Sequence, residues 1–145
     1  MNDCLRLEHV GITVADMDRA LDFLTMLGFQ TKARFAPFDP GAVAGITRLA
    51  GARVRQLAYV VRDDCRFELL EYEAPDRADD MRRPCDAGYF HIALEVDDIE
   101  ATKLRLGCDA PSYTVSCGPA VGQRAAYVYG PDGLTVELIQ KARSV

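Results

Sequence analysis

Leu7-Glu8-His9-Val10-Gly11-Ile12-Thr13-Val14-Ala15-Asp16 and Tyr89-Phe90-His91-Ile92-Ala93-Leu94-Glu95-Val96-Asp97-Asp98 are two versions of one pattern. Each is a short alternating run with a histidine near its start and an acidic exit. These are the two histidines of the chain. A second pair lies further along: Phe67-Glu68-Leu69-Leu70-Glu71 matches Val136-Glu137-Leu138-Ile139-Gln140. Each half therefore supplies one His and, on a later strand, one Glu. Self-similarity is weighed first in any fold assignment, and here it is a single duplication, not a solenoid. Duplicated His/Glu pairs point to one shared metal site.

Residues 5–15 alternate like a half-buried strand. Asp16 and Asp18 offer N-caps for a helix to about Leu27 with the apolar stripe Ala20, Leu21, Phe23, Leu24 and Leu27. Gly28 is its stop. Residues 29–35 read as a strand, 36–51 as a long loop, and 53–62 and 66–72 as two strands joined by a turn at Asp63-Asp64. The charged segment 74–88, with Pro75, Pro84 and Gly88, reads as a linker. The cycle then restarts: strand 89–96, a helix from about Asp98 to Leu106 with Gly107 as its stop, and a weak strand near 113–117. Strand 123–129 follows, then a turn at Gly130-Pro131-Asp132-Gly133 and strand 134–140. The expected fold is α+β, one domain over residues 1–145. It is built from two tandem βαβββ modules at about 5–73 and 89–141. The spacing from His9 to Glu68 exceeds that from His91 to Glu137, and the surplus falls most naturally in loop 36–51, a candidate substrate lid.

The 145 residues fit one compact domain. A hydrophobic content of 49% is enough for a core, and the net charge is −5. No Lys/Arg stripe appears, which argues against a nucleic-acid partner. No apolar run approaches the roughly 20 residues of a membrane helix, and no signal peptide is visible at the N-terminus. Cys4, Cys65, Cys85, Cys108 and Cys117 are odd in number and scattered, without a CxxC. They read as reduced thiols of a cytoplasmic protein.

Side chains alternate faces along a strand. His9 shares a face with Gly11 and Thr13, and His91 with Ala93 and Glu95. Glu68 sits between Phe67 and Leu69, and Glu137 between Val136 and Leu138. A lone strand His is more often a core or surface residue, and a lone Glu on an edge strand is usually solvated. Four positions agreeing with one repeat change that balance. Imidazole and carboxylate suit zinc, nickel, cobalt, manganese and iron. Glu71, with Gln140 as its repeat partner, reads as structural. Glu95 reads as an orienter of His91. Tyr59 and Tyr127 match across the repeat one residue out of register and read as core packing. Arg34, Arg53 and Arg55 could receive an anionic substrate, but exposed strand arginines are the simpler reading.

The Leu-Glu-His-Val-Gly-Ile-Thr-Val opening, the Phe-Glu-Leu-Leu-Glu-Tyr strand, the Phe-His-Ile-Ala-Leu-Glu-Val-Asp-Asp-Ile restart and the Gly-Pro-Asp-Gly-Leu-Thr-Val-Glu-Leu-Ile ending resemble the vicinal oxygen chelate superfamily. That group includes glyoxalase I, methylmalonyl-CoA epimerase, extradiol dioxygenases, and fosfomycin and bleomycin resistance proteins. The resemblance implies a cup-shaped mixed sheet around one divalent metal ion held by His9, Glu68, His91 and Glu137. The metal implied is Zn, Ni, Co or Mn. Glu68 favours the branch with glyoxalase I and the epimerases, since extradiol dioxygenases and fosfomycin enzymes use two His and one Glu. Asp39 is the one acid in 36–51, so the separate base of the CoA epimerases has no clear counterpart.

The activity implied is a metal-dependent lyase or isomerase on a small substrate with vicinal oxygens. Proton transfer would run through a metal-bound enediolate, with Glu137 as base and Glu68 as its partner. One alternative is an Fe(II) extradiol-type dioxygenase with His9, His91 and Glu137 as facial triad. The other is a non-catalytic small-molecule binding or resistance protein. The resemblance also implies a homodimer.

Overall fold

The computed structural model describes residues 6–37, 39–78 and 82–142. The start of the expected first strand at residue 5, Cys4, and part of the expected linker at 79–81 lie outside them. The chain divides into two compact units, residues 1–79 and 80–145, with the boundary inside the segment read as a linker.

The first unit begins with β1 (Val10–Val14), followed by α1 (Met17–Met26) and β2 (Gln30–Phe35). Next come α2 (Pro40–Thr47), β3 (Arg53–Arg62) and β4 (Cys65–Ala74). Its sheet order is β1-β4-β3-β2, with β1 parallel to β4 and the other pairs antiparallel. One face is the core: Ile12 and Val14, Ala58 and Val60, and Phe67 and Leu69 are buried at alternating positions. Helix α1 lays Met17, Ala20, Phe23 and Leu24 into the core beside them. Full burial of one such side chain contributes about 1.5–3 kcal/mol.

The second unit repeats the plan with β5 (Ile92–Glu95), α3 (Ile99–Arg105), β6 (Tyr113–Thr114), β7 (Arg124–Tyr129) and β8 (Thr135–Gln140). The sheet order is β5-β8-β7-β6, and β5 again runs parallel to β8. Val128, Val136 and Leu138 fill its core with Ile99 of α3. Two four-stranded mixed sheets with few helices make the chain α+β.

The helix ends follow the sequence. The carboxylates of Asp16 and Asp98 accept the Arg19 and Ala101 amides at 3.0 Å, satisfying amides the helix itself leaves open. Gly28 and Gly107 close α1 and α3 with φ of +88° and +63°, a region other residues enter at a cost. Glu71 Oε2 accepts the first helical amide of α1, Met17 N, at 3.1 Å. Gln140 Oε1 accepts that of α3, Ile99 N, at 3.0 Å. The repeat partners thus perform the same task, as the structural reading of Glu71 expected.

Two expectations change. The segment 36–51 is not all loop, because Asp39 caps α2 through the Ala42 amide at 3.0 Å and Pro40 opens the helix. Gly41 and Gly45 weaken helix propensity there but do not outweigh a good cap and apolar residues between. Strand pairing also starts later than alternation suggested, at Val10↔Phe67 and Ile92↔Val136. Both histidines therefore stand just before their strands.

Candidate metal centre

In the first unit, Glu68 lies mid-strand on β4, opposite Gly11 on one side and Tyr59 on the other. His9 enters from the chain ahead of β1, and its Nε2 stands 3.3 Å from Glu68 Oε2. In the second unit, Glu137 on β8 lies opposite Ala93 and Tyr127. His91 Nε2 stands 3.0 Å from Glu137 Oε2. These side chains are 33% and 18% exposed for His9 and Glu68, and 35% and 23% for His91 and Glu137. They sit on the sheet faces away from the cores, partly sheltered yet open to a small ion. Each unit gathers one His–Glu pair. Among the described residues no group of three or more His, Cys, Asp or Glu donors is assembled for a metal ion.

Two tyrosines belong to these pairs, against the expectation of core packing. The Tyr59 hydroxyl donates to Glu68 Oε1 at 2.8 Å. The Tyr127 hydroxyl pairs with His91 Nδ1 at 3.2 Å, with ring centroids 5.1 Å apart. The one-residue offset in sequence came from unequal hairpin loops. Cross-strand register removes it, since each tyrosine faces its glutamate directly. The hydrogen bond to Glu68, and then burial, raise the Tyr59 phenol above its ordinary range. Burial raises that of Tyr127, and the negative charge of Glu137 adds to it.

The first pair has further partners. His9 Nδ1 donates to the Glu8 carboxylate. Arg66 Nη1 donates to Glu8 Oε1 at 2.5 Å, and its guanidinium lies 4.3 Å from the centre of the Tyr59 ring. Glu8 is held below the usual carboxylate range, first by the His9 hydrogen bond and then, against some burial, by Arg66 and His9 charge. In the second unit a cavity of about 300 Å³ is lined by Pro111, Tyr113, Ala125, Ala126, Tyr127 and Glu137. Glu137 is its one charged lining residue.

Other candidates are taken up elsewhere. Glu95 Oε2 pairs with Lys141 Nζ at 2.5 Å and does not orient His91. Four residues along an extended chain span about 13 Å, too far for a shared contact. Arg34 pairs with Asp18 at 2.6 Å, Arg53 with Glu73 at 3.4 Å and Arg55 with Glu71 at 3.5 Å. They behave as strand arginines with local partners.

Two sheets of one plan each carry a His, a Glu and a Tyr at matching positions. The chain belongs to the Glyoxalase/Bleomycin resistance protein/Dioxygenase superfamily, whose family model matches residues 6–138. It is 30% identical to a 2-epi-5-epi-valiolone epimerase of Actinomyces sp. over 92% of this chain and 78% of the relative. It is also similar in structure to a glyoxalase family protein from Bacillus cereus. That likeness has a TM-score of 0.79 at 24% identity, over 98% of this chain and 97% of that one. A fosfomycin resistance protein from Listeria monocytogenes, complexed with Mn(II) and sulfate, shares the fold with a TM-score of 0.58. It is 15% identical, with 97% of this chain and 93% of that one covered. Among the described residues no helix is long and apolar enough to cross a membrane.

Proposed function

We propose that the protein is a divalent-metal-dependent isomerase of glyoxalase or epimerase type, acting on a small α-hydroxy ketone or similar vicinal-oxygen substrate. The observation that carries the reading is the repeated His–Glu pair, with facing Nε2 and Oε2 atoms in both units. The donor set fits the metal: two neutral imidazoles and two carboxylates balance a divalent ion and suit Zn, Ni, Co or Mn. His9, Glu68, His91 and Glu137 would hold it. When bound, the metal supplies a Lewis acid that polarises the substrate carbonyl and acidifies the neighbouring C–H.

The protein's own groups then move the proton. Glu137 borders the cavity, and among the described residues no hydroxyl donates to it, so its carboxylate is available as the base. Glu68 is held by Tyr59 and would serve as the second acid–base group. Return of the proton to the same carbon from its opposite face gives an epimer. Its return to the adjacent carbon gives a glyoxalase-type shift. The cavity walls of Pro111, Tyr113 and Ala125 receive an uncharged part of the substrate. The similarity to an epimerase supports this reading at the level of reaction class.

Association is supported by the two edge strands of each sheet, and sedimentation at micromolar concentration would reveal a dimer or refute one. A reducing, cytoplasmic setting is supported by the free thiols of Cys65, Cys85, Cys108 and Cys117 among the described residues. A disulfide in protein drawn from the cell would contradict it.

The deciding experiment is solvent-deuterium exchange into a panel of α-hydroxy ketones, followed by NMR. Chelator-stripped protein is compared with protein reloaded with Zn, Ni, Co or Mn. Metal-dependent exchange is the expected result. Oxygen uptake with a catechol, confined to the Fe(II) form, would instead establish the dioxygenase reading, with Glu68 outside the metal set. Ligand binding with neither activity would leave a binding protein.

A further inference from the structure

We propose that Glu8, Arg66 and Tyr59 are positioning residues that preset His9 and Glu68 for the metal, through a closed ring of contacts that the second half-site lacks. The inference rests on the reading of His9 and Glu68 as ligands. Starting from His9, Nδ1 donates to Glu8. Glu8 Oε1 accepts from Arg66 at 2.5 Å. The Arg66 guanidinium stacks 4.3 Å from the Tyr59 ring centre. The Tyr59 hydroxyl donates to Glu68 Oε1 at 2.8 Å. Glu68 Oε2 returns to His9 Nε2 at 3.3 Å. The ring engages the spare atom of each ligand, Nδ1 on His9 and Oε1 on Glu68. The two atoms left facing each other, Nε2 and Oε2, are those a metal would take.

The physical effect is twofold. A carboxylate on Nδ1–H fixes the tautomer with Nε2 unprotonated and makes that nitrogen a better donor. Side chains already ordered lose less freedom when the ion arrives. An isolated exposed Glu–Arg pair would contribute little. This one differs because both members also touch the half-site, one at His9 and the other at Tyr59. Phe90 and Thr135 occupy the positions of Glu8 and Arg66 in the repeat. Neither can supply the charge, and among the described residues the hydrogen-bond partner of His91 Nδ1 is the Tyr127 hydroxyl. The first half-site is therefore the preset one.

The test uses the full chain and zinc as the probe. Zinc affinity is measured by competition with a chelator for wild type, Glu8→Ala, Glu8→Gln and Arg66→Met, and the metal-free proteins are melted alongside. Glu8→Ala is expected to bind zinc about 10–100-fold more weakly with an unchanged metal-free melt. Glu8→Gln should recover part of the loss, since its amide oxygen still accepts Nδ1–H without the charge. Arg66→Met should lose less than Glu8→Ala. With two histidines in the chain, ring ¹⁵N NMR separates them. His9 should show Nδ1–H with zinc on Nε2, and this signature should shift in Glu8→Ala while that of His91 stays. Wild type that binds zinc, with Glu8→Ala equal to it in affinity and His9 signal, would overturn the inference and leave the ligand reading standing. Wild type that binds neither zinc nor, in the same competition, Ni, Co or Mn would overturn both.

Discussion

In the first unit Tyr59 donates to Glu68, whereas in the second its counterpart Tyr127 pairs with His91. The strand order, the pairing of tyrosine opposite glutamate and the three residue types are the same in both. The residue before the histidine differs: Glu8 in one unit and Phe90 in the other. Where a carboxylate takes the histidine Nδ1, the tyrosine turns to the glutamate. Where phenylalanine offers no acceptor, the tyrosine serves the histidine and the glutamate is left beside the cavity. The two carboxylates thus differ in their surroundings: Glu68 accepts the Tyr59 hydroxyl at 2.8 Å, and Glu137 lines the cavity.

The sharpest way to break this comparison is to remove the charge of each carboxylate in turn. Glu137→Gln should lower turnover by about 10²–10⁴-fold with an unchanged circular dichroism spectrum. Glu68→Gln should lose less in the chemical step and more in metal affinity. Equal losses in kcat for the two variants would erase the distinction between them.

A second test moves the asymmetry. Phe90→Glu places a carboxylate ahead of His91, which should release Tyr127 from Nδ1. Tyr127→Phe should then weaken zinc binding in the wild-type background and leave it unchanged in the Phe90→Glu background. The coupling expected between such contacting residues is about 0.5–3 kcal/mol, read from a double-mutant cycle on zinc affinity. Additive effects would show that the tyrosine's choice is independent of position 90.

The helix caps give a smaller contrast. Glu71→Ala and Gln140→Ala each remove an acceptor from a helix N-terminus, at a cost of about 0.5–2 kcal/mol by analogy with N-caps. Glu71→Ala should be the worse, because its negative charge also favours the helix dipole by about 0.3–1 kcal/mol. Hydrogen exchange of the first-turn amides of α1 and α3 measures both.

The smallest effect concerns Glu100, which is bound by Lys103 at 2.8 Å, Ser112 at 2.9 Å and Arg124 at 2.6 Å. These bonds, Lys103 foremost, lower its pKa from 4.5 to about 2. A depressed carboxylate pKa means stability that is complete above pH 4.5 and lost as pH falls toward 2. Wild type and Glu100→Gln should therefore differ most above pH 4.5 and converge near pH 2 in acid-melting curves. The corresponding Asp18 pairs with Arg34 at 2.6 Å.

The sequence by itself determined the duplication, the α+β plan, both capped helices with their glycine stops, and the pairing of each histidine with a glutamate. These are written in short periods and in local residue chemistry, which act over a few positions. It missed α2 because the two prolines and three glycines of 36–51 look like loop, while one aspartate and a proline at the first turn suffice to start a helix. Tertiary structure alone decided the partners. Glu8 is distant in sequence from Tyr59 and Arg66, and their ring depends on strand register and on hairpin lengths that differ between the halves. The direction of each tyrosine hydroxyl depends on which acceptor the opposite strand presents. Periodicity reports which face a side chain takes, but not what it meets there.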